Sequence, residues 1–414
     1  MRRFLSIAAP MLVAVAVVAA EMPSPIIPDA GCTAPPRRTL GRVFQKLKAG
    51  EDVGIAYFGG SITAAPGWRV KTFKWFKETF PNATVREINA AIGGTGSDLG
   101  TFRCGQDVIA QRPDLVFVEF NINDGSPTNE FRKVTMEGIV RQLWSSPTKP
   151  EIVFVYTTSR DLNCKRGSHP AVAKHYNIPD IDLQPPLVIA LSRPDLPKPT
   201  EKQLADKKFN WKAVGQMFMG DSVHPNDLGH TIYADTVVAY LKTQMDAKPL
   251  PAPKLPKPLV SNEFASAKLV APSAAKLEGD WEVLPANEKN GFISRYKGGV
   301  INARKAGDSL TFEFEGTALG LYQNVQKDGG KYEWTIDDGK DEPADKSFGG
   351  PRGCKHGKVD TAPGPYFPRY HYAMLTCGLA PGKHTLKIKV LEERDKTSTG
   401  NRLLIGYFMV AGGK

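Results

Sequence analysis

The sequence predicts an α/β domain, with a parallel sheet covered by helices on both faces, followed by an all-β sandwich or jelly roll. Three observations lead to this prediction. Strand-like and helix-like patterns alternate up to residue 245, and only short β-rich runs follow residue 260. Between them, residues 246–260 contain five prolines. Alternating strands and helices are typical of βαβ units stacked in three layers, α/β/α.

In the first domain, four apolar runs predict strands, at residues 53–58, 84–89, 115–120 and 152–157. Apolar residues at helical spacing predict three helices, over residues 68–80, 131–144 and 228–245. Ligands of such parallel sheets bind at the carboxyl ends of the strands. The segments that follow the strands are therefore where we look for functional residues.

In the second domain, short β-rich runs predict five strands, at residues 309–315, 319–323, 332–336, 386–391 and 403–410. The proline-rich segment favours an extended, semi-rigid spacer, because proline removes a backbone donor and fixes φ. We therefore predict a first domain at 21–245, a linker at 246–260 and a sandwich at 261–414.

Residues 1–20 predict a cleaved signal peptide. Arg2 and Arg3 precede an almost wholly apolar run, which ends in the small residues Ala19 and Ala20. The alternative is an uncleaved anchor helix, for which the run is short. Export to the periplasm or the exterior follows, with no stable membrane insertion after cleavage.

Composition limits the functional classes. A chain of 414 residues with 23% charged and 41% hydrophobic residues is neither largely disordered nor a multi-span membrane protein. The net charge is +11, but the lysines are scattered and no basic-aromatic module occurs, so we expect no nucleic-acid partner. The sequence does not determine the oligomeric state.

Cysteine usage adds two expectations. Export permits disulfides; Cys354 with Cys377 is the preferred pair, and Cys104 with Cys164 is a weaker one. No CxxC or HExxH motif occurs, so we predict no metal and no cofactor.

Two motifs predict acid–base and nucleophilic chemistry. Ser61 follows the first strand within Gly59-Gly60-Ser61, where flanking glycines permit a sharp turn and substrate approach. Asp221 precedes His224 by three residues, a spacing that lets the carboxylate hold the imidazole ring. Alone, the first motif is more often a simple loop and the second a helix cap.

Two further segments supply hydrogen-bond donors. A glycine-rich stretch that includes Gly93 and Gly94 follows the second strand, and Asn123 follows the third. Backbone N–H groups and a side-chain amide aimed at one point stabilise a tetrahedral oxyanion. All four motifs lie at strand ends or helix entries of one predicted domain, which makes coincidence a poor explanation.

Over about residues 53–241, these motifs resemble the SGNH hydrolases, also called the GDSL esterase/lipase superfamily. The resemblance implies a flavodoxin-like sheet and a nucleophile, Ser61, whose own N–H forms an oxyanion hole with Gly94 and Asn123. It implies that His224 is the general base and acid, oriented by Asp221. Gly94 is preferred over Gly93 for the backbone donor.

Two positions depart from the family pattern. Gly60 stands where the family has aspartate, and Asn121 stands where it has glycine. Neither position carries the chemistry. Three arginines near the motifs, Arg69, Arg103 and Arg160, are candidates for binding an anionic substrate. Surface or ion-pair roles are the more common ones for such residues.

The leading hypothesis is an exported serine esterase that removes short acyl groups, most plausibly acetyl, from carbohydrate. The carbohydrate part follows from resemblance to secreted bacterial esterases that carry an appended β-sandwich. The alternatives are a polysaccharide O-acetyltransferase, a lipase or lysophospholipase, and a non-catalytic carbohydrate-binding protein.

Overall fold

The computed structural model describes residues 37–125, 130–190, 217–286, 294–337, 339–341, 351–362 and 369–413. The predicted signal peptide and Cys32 lie outside these ranges. None of the helices in them is both long and apolar enough to cross a bilayer.

The first domain is built on a five-stranded parallel sheet in the order β2-β1-β3-β4-β5. Its strands are β1 (Asp52–Gly59), β2 (Thr84–Asn89), β3 (Leu115–Glu119), β4 (Glu151–Tyr156) and β5 (Asp180–Asp182). The chain runs one way from β1 to β2 and the other way from β3 onward. The carboxyl ends of β1 and β3 therefore flank the crevice where doubly wound sheets bind ligands.

Helices cover both faces of this sheet. They are α1 (Gly41–Lys48), α2 (Ser61–Ala64), α3 (Trp68–Thr79), α4 (Ser97–Asp107), α5 (Asn121–Asp124), α6 (Glu130–Ser145), α7 (His169–His175), α8 (Gln184–Ala190) and α9 (Asp227–Gln244). Side chains alternate across each strand. On β1, Ile55 and Tyr57 pack with α1, α3, α8 and α9. Ala56 and Phe58 pack with α4, α6 and α7 on the opposite face.

The second domain is a β-sandwich. Its strands are β6 (Lys268–Val270), β7 (Lys276–Glu278), β8 (Trp281–Leu284), β9 (Val300–Ala303), β10 (Ser309–Gly316), β11 (Ala318–Val325), β12 (Lys331–Ile336), β13 (His356–Asp360), β14 (Arg369–Thr376), β15 (Gly382–Val390) and β16 (Leu403–Ala411). One sheet has the order β13-β12-β15-β10-β7. The other has the order β14-β11-β16-β9-β8, with β6 beside β16. A common apolar core fills the space between them.

The second of these sheets also packs against the first domain. Its outer face presents Tyr322 and Tyr407 to an apolar cluster that contains Phe102 of α4 and Phe131 of α6. Strands β11 and β16 are consequently buried on both faces, whereas β12 alternates between buried and half-buried positions. The sandwich is therefore joined to the α/β domain by a continuous apolar interface.

The proline-rich segment has no helix or strand and lies against the first domain. Thr39 Oγ1 donates to the backbone oxygen of Lys248 (2.9 Å), and Arg141 donates to that of Pro256 (3.0 Å). At its end, the buried carboxylate of Glu137 accepts the N–H groups of Leu259, Val260 and Ser261. The segment is therefore docked onto the first domain.

The predicted fold class is confirmed: a three-layer α/β/α domain precedes a β-sandwich. Every predicted strand and helix is present with ends within two residues, except that β15 begins four residues earlier than predicted. Helices α1 and α4 and most of the short strands of the sandwich had no sequence prediction.

The two predicted disulfides are wrong in this structure, because all four described cysteines are separate thiols. Cys354 packs toward the sandwich core, whereas Cys377 belongs to the interface with the first domain. Cys104 is a buried residue of α4, and Cys164 has its Sγ 3.9 Å from Asn121 Nδ2. In both predicted pairs the two side chains occupy different environments.

Candidate active site

Ser61 lies at the carboxyl end of β1, where the chain turns directly from the strand into α2. The turn contains two glycines, and neighbouring atoms lie very close to where their side chains would be. A Cβ on Gly59 would lie 2.5 Å from the backbone oxygen of Glu119, and one on Gly60 would lie 2.1 Å from Asn123 Oδ1. At position 60, where the family has aspartate, the end of the Asn123 carboxamide lies against the glycine.

A chain of hydrogen bonds joins Ser61 to the loop before α9. His224 Nε2 lies 2.7 Å from Ser61 Oγ, and His224 Nδ1 lies 2.7 Å from Asp221 Oδ2. An imidazole held between a hydroxyl and a carboxylate can take up the hydroxyl proton while the carboxylate fixes the ring. Folding thus joins side chains that are 163 positions apart in the sequence.

The Asp221 carboxylate is held by its own loop. Its Oδ1 accepts the N–H groups of Val223 and His224, each at 2.8 Å. Burial acts against ionisation here, but these hydrogen bonds and the contact with His224 lower the pKa of Asp221 to about 2. The helix cap expected as the alternative role belongs to Asn226, whose side chain accepts the N–H of Gly229 at 3.0 Å.

The two asparagines after β3 have different surroundings. Asn121 is fully buried, and its amide exchanges two hydrogen bonds with the backbone of Thr157, at 2.7 Å and 3.0 Å. Asn123 is half-buried, and its Oδ1 lies against Gly60, beside Ser61. Of the two side chains, Asn123 is therefore the one placed next to the serine.

The glycine-rich loop passes directly beside Ser61. A Cβ on Gly93 would lie 3.4 Å from Ser61 Cβ. Gly94 has a φ of +72°, a conformation that favours glycine, and a Cβ there would meet nothing within 4 Å. The loop thus contacts the serine at Gly93 and faces open space at Gly94.

The sequence analysis missed Glu119, a fully buried carboxyl group beneath the site. It accepts hydrogen bonds from Thr63 of α2 (2.8 Å) and from Thr157 (3.0 Å), the residue that binds Asn121. Burial raises the pKa of Glu119 to about 7, against the opposing effect of these hydrogen bonds. A glutamate that ends an otherwise apolar strand was the available signal.

The sequence analysis also gave no role to the residues behind Asn123. Asp124 accepts the N–H of Ser97 (2.8 Å) and lies 2.8 Å from His169 Nε2. Arg132 forms ion pairs with Asp124 (3.5 Å) and with Asp98. These residues come from four separate segments, so no sequence pattern joins them.

Two of the three candidate arginines serve the protein itself. Arg69 is buried, donates to the backbone oxygen of Thr63 (3.0 Å) and pairs with Glu87. Arg103 is 1% exposed and donates to the backbone oxygens of Ala90 and Gly59, and burial lowers its pKa. Their guanidinium groups are engaged by internal acceptors, so the prediction of substrate binding is corrected to a structural role.

Arg160 lies next to the candidate site. Its backbone N–H donates to the backbone oxygen of Ser222 (2.9 Å), within the Asp221–His224 loop. Its side chain is half-exposed and forms no hydrogen bond or ion pair with any residue that the structure describes. Substrate binding by Arg160 stays a prediction.

Within the described ranges, no cluster of three His, Cys, Asp or Glu residues is arranged for a metal ion.

Residues 57–232 match the model of the GDSL-like lipase/acylhydrolase family. Residues 57–232 are therefore a GDSL-like lipase/acylhydrolase domain. The segment includes Ser61, Asn123, Asp221 and His224. The predicted family and enzyme class are thereby confirmed. No curated protein sequence matches the chain.

Among solved structures, a two-domain esterase (CEX) active on acetylated mannans, crystallised with mannopentaose, is similar with a TM-score of 0.73. The two chains are 23% identical, and the match covers 91% of this chain and 96% of that one. An acetylxylan esterase from Geobacillus stearothermophilus matches with a TM-score of 0.35 and 16% identity, over 49% of this chain and 97% of that one. The first likeness extends over both domains, so the two chains share the whole two-domain fold.

Proposed function

We propose that the protein is an exported serine esterase that hydrolyses short acyl esters, in particular O-acetyl groups, on carbohydrate. The observation that carries the proposal is the hydrogen-bonded chain from Ser61 through His224 to Asp221, with both distances at 2.7 Å. Hydroxyl, imidazole and carboxylate in this order form an activated nucleophile. The match to a family of acylhydrolases supports ester bonds as the target.

In the first half of the reaction, Ser61 Oγ attacks the ester carbonyl carbon and His224 Nε2 takes the hydroxyl proton. The resulting oxyanion accepts hydrogen bonds from the N–H groups of Ser61 and Gly94 and from the Asn123 amide. When the intermediate collapses, the bond to the sugar oxygen breaks and His224 returns the proton to that oxygen. The sugar hydroxyl leaves, and the acyl group stays on Ser61.

In the second half, water takes the position of the sugar hydroxyl. His224 removes a proton from the water as its oxygen attacks the acyl carbon, and the same donors bind the second oxyanion. Collapse breaks the bond to Ser61 Oγ, which recovers its proton from His224, and the carboxylic acid is released. Asp221 remains ionised throughout, since its pKa is about 2.

Three features support a carbohydrate substrate. The predicted signal peptide would export the enzyme to where polysaccharides are found, and the shared two-domain fold is that of an esterase active on acetylated mannans. A cleft of about 380 Å³ also lies between the two domains, beside the loop that leads to Gly93. Most of its side chains are polar or charged: Glu87, Asn89, Asp107, Gln111, Ser294, Arg295 and Lys297. Such a lining suits sugar hydroxyls better than a fatty acyl chain.

The test is acid release by the mature protein from 4-nitrophenyl esters of increasing chain length and from acetylated mannan and xylan. Ser61→Ala should abolish turnover. Ser273→Ala, at an exposed serine of the sandwich, is the matched control and should retain it. Preference for long-chain esters would instead favour a lipase. Acetyl transfer to an added sugar, faster than acetate release, would favour a transferase. Binding of mannan without any turnover would overturn the proposal.

A further inference from the structure

A hydrogen bond joins the sandwich to the loop that carries Gly93 and Gly94. The backbone N–H of Gly96 donates to the phenol oxygen of Tyr372, 3.2 Å away and 276 positions later in the sequence. Tyr372 lies on β14, and Gly96 is the residue that caps α4. The second domain thus contacts the end of the loop that passes beside Ser61.

Gly96 is tightly enclosed by charged side chains. A Cβ on it would lie 2.4 Å from Asp124 Oδ1, 2.9 Å from Asp98 Oδ1 and 3.0 Å from Arg132 Nη1. Burial and the nearby Asp98 carboxylate raise the pKa of the Tyr372 phenol. Through Gly96, Tyr372 therefore contacts the backbone that the ion-pair group of Arg132 and the two aspartates encloses.

The same group reaches the second oxyanion donor. Asp124 directly follows Asn123, and its carboxylate accepts the N–H of Ser97, which directly follows Gly96. We call residues 93–96 and 121–124 the oxyanion loops. One group of interacting side chains, which encloses the Gly96 backbone that Tyr372 contacts, therefore fixes both oxyanion loops relative to each other.

Resting on the proposed function above, we infer that Tyr372 is a positioning residue for the oxyanion hole, so that the sandwich is part of the catalytic apparatus. Oxyanion donors accelerate the reaction only when they are already aimed at the developing charge. Without the Tyr372 oxygen, the Gly96 N–H loses its acceptor and the loop is free to shift. A displacement of about 1 Å is enough to lower the rate.

A second tyrosine of the sandwich provides a matched control. Tyr407 also forms a hydrogen bond across the domain interface, with Gln106 Oε1 at 3.2 Å. Gln106 lies near the end of α4, ten positions after Gly96 and away from the oxyanion loops. Tyr372→Phe and Tyr407→Phe therefore each remove one phenol oxygen from the same interface.

The experiment uses the full mature chain and 4-nitrophenyl acetate, an ester without a sugar. Tyr372→Phe should lower kcat about tenfold and leave KM within twofold. Tyr407→Phe should leave both constants within twofold. If the sandwich acts only by holding sugar, Tyr372→Phe will leave 4-nitrophenyl acetate turnover unchanged and raise KM for acetylated mannan; that result overturns the inference.

Hydrogen exchange measured by mass spectrometry gives a readout that does not depend on activity. Peptides that cover residues 90–98 should exchange faster in Tyr372→Phe than in the wild type or in Tyr407→Phe, under conditions where all three are folded. Unchanged exchange would contradict the positioning role. An inactive wild type with this exchange pattern would count against the proposed function alone, so the two failures are distinguishable.

Discussion

The two sides of the candidate site are built in different ways. In the acid–base loop, residues 219–226, the Asp221 and His224 side chains are 56% and 42% accessible. Hydrogen bonds from residues at most three positions away hold the Asp221 carboxylate. The oxyanion loops are instead held by a buried group in which the Asp124 side chain is 4% accessible.

The geometry of the acid–base pair thus depends mainly on local contacts, whereas that of the oxyanion loops depends on long-range contacts. A three-residue spacing is enough to set the Asp221–His224 geometry, because both groups belong to one turn. The predicted donors Asn123 and Gly94 lie on loops that are held by partners from α4, α6, α7 and the sandwich. We therefore expect substitutions in the acid–base loop to change activity with little change in stability, and those around the oxyanion loops to change both.

The largest effect should come from Asp221→Asn. Loss of the carboxylate leaves His224 without its orienting partner, and kcat for 4-nitrophenyl acetate should fall about 10⁴-fold. Because Asp221 is exposed, Tm should change little. Asp227→Asn is the control, since Asp227 is also exposed and pairs only with Lys71 in this part of the structure (2.9 Å). Retention of a tenth of the wild-type kcat by Asp221→Asn would contradict the assigned role.

The next largest effect separates the two asparagines. Asn123→Ala removes one oxyanion donor, so kcat should fall about 10²–10³-fold. Asn121→Ala leaves the buried N–H and C=O groups of Thr157 without partners, so the free energy of unfolding should fall by about 1–3 kcal/mol. Steady-state kinetics and urea unfolding measure the two quantities. The assignment fails if Asn121→Ala loses more activity than Asn123→Ala while it remains folded.

Glu119 makes the buried side of the site sensitive to pH. Its pKa is raised from an ordinary value of 4.5 to about 7, so the folded state binds its proton more tightly than the unfolded chain does. The stability that this proton contributes is complete below pH 4.5 and is lost as pH rises through about 7, at a cost of about 3 kcal/mol. Glu119→Gln should remove this part of the pH dependence of unfolding. An equal slope between pH 4.5 and 7 in the variant and the wild type would refute the assignment.

The smallest effect concerns Arg160, which lies beside the acid–base loop. Arg160→Ala should leave kcat and KM for 4-nitrophenyl acetate within twofold, because the side chain has no partner among the described residues. A substrate with a carboxylate near the ester should show a raised KM in the variant, because the Arg160 cation beside the loop is removed. Equal KM values for neutral and anionic esters in both proteins would exclude the predicted role in substrate binding.

Much of the fold and the reacting side chains could be predicted because they depend on local patterns. Strands β1, β3 and β4 are continuous apolar runs, and α9 begins at its own cap residue, Asn226. Ser61 and the Asp221–His224 pair were found for the same reason: each motif is contiguous and follows or precedes a recognisable element. Their roles as nucleophile, orienting acid and base stay predictions.

The arginines show where such reasoning fails. Arg69 and Arg103 stand near motifs at the carboxyl edge of the sheet, as substrate-binding residues do, yet both are buried against internal acceptors. The position of a residue in the sequence predicts that it lies at the carboxyl edge of the sheet, but it does not predict the direction in which the side chain points. Burial depends on what packs above the residue, and for Arg103 that includes Phe58, with the guanidinium carbon 4.5 Å from the ring centre.

The sequence by itself determined the order of the elements, the two kinds of domain and the residues predicted to carry out ester hydrolysis, since periodicity and short motifs are local properties. Only the tertiary structure decided that the linker is docked, that four cysteines stay apart and that a side chain at Gly59 would meet the backbone of Glu119. It also decided that Tyr372 reaches Gly96 across 276 positions. Contacts of this length depend on how two separately patterned domains pack, and no local pattern encodes that packing.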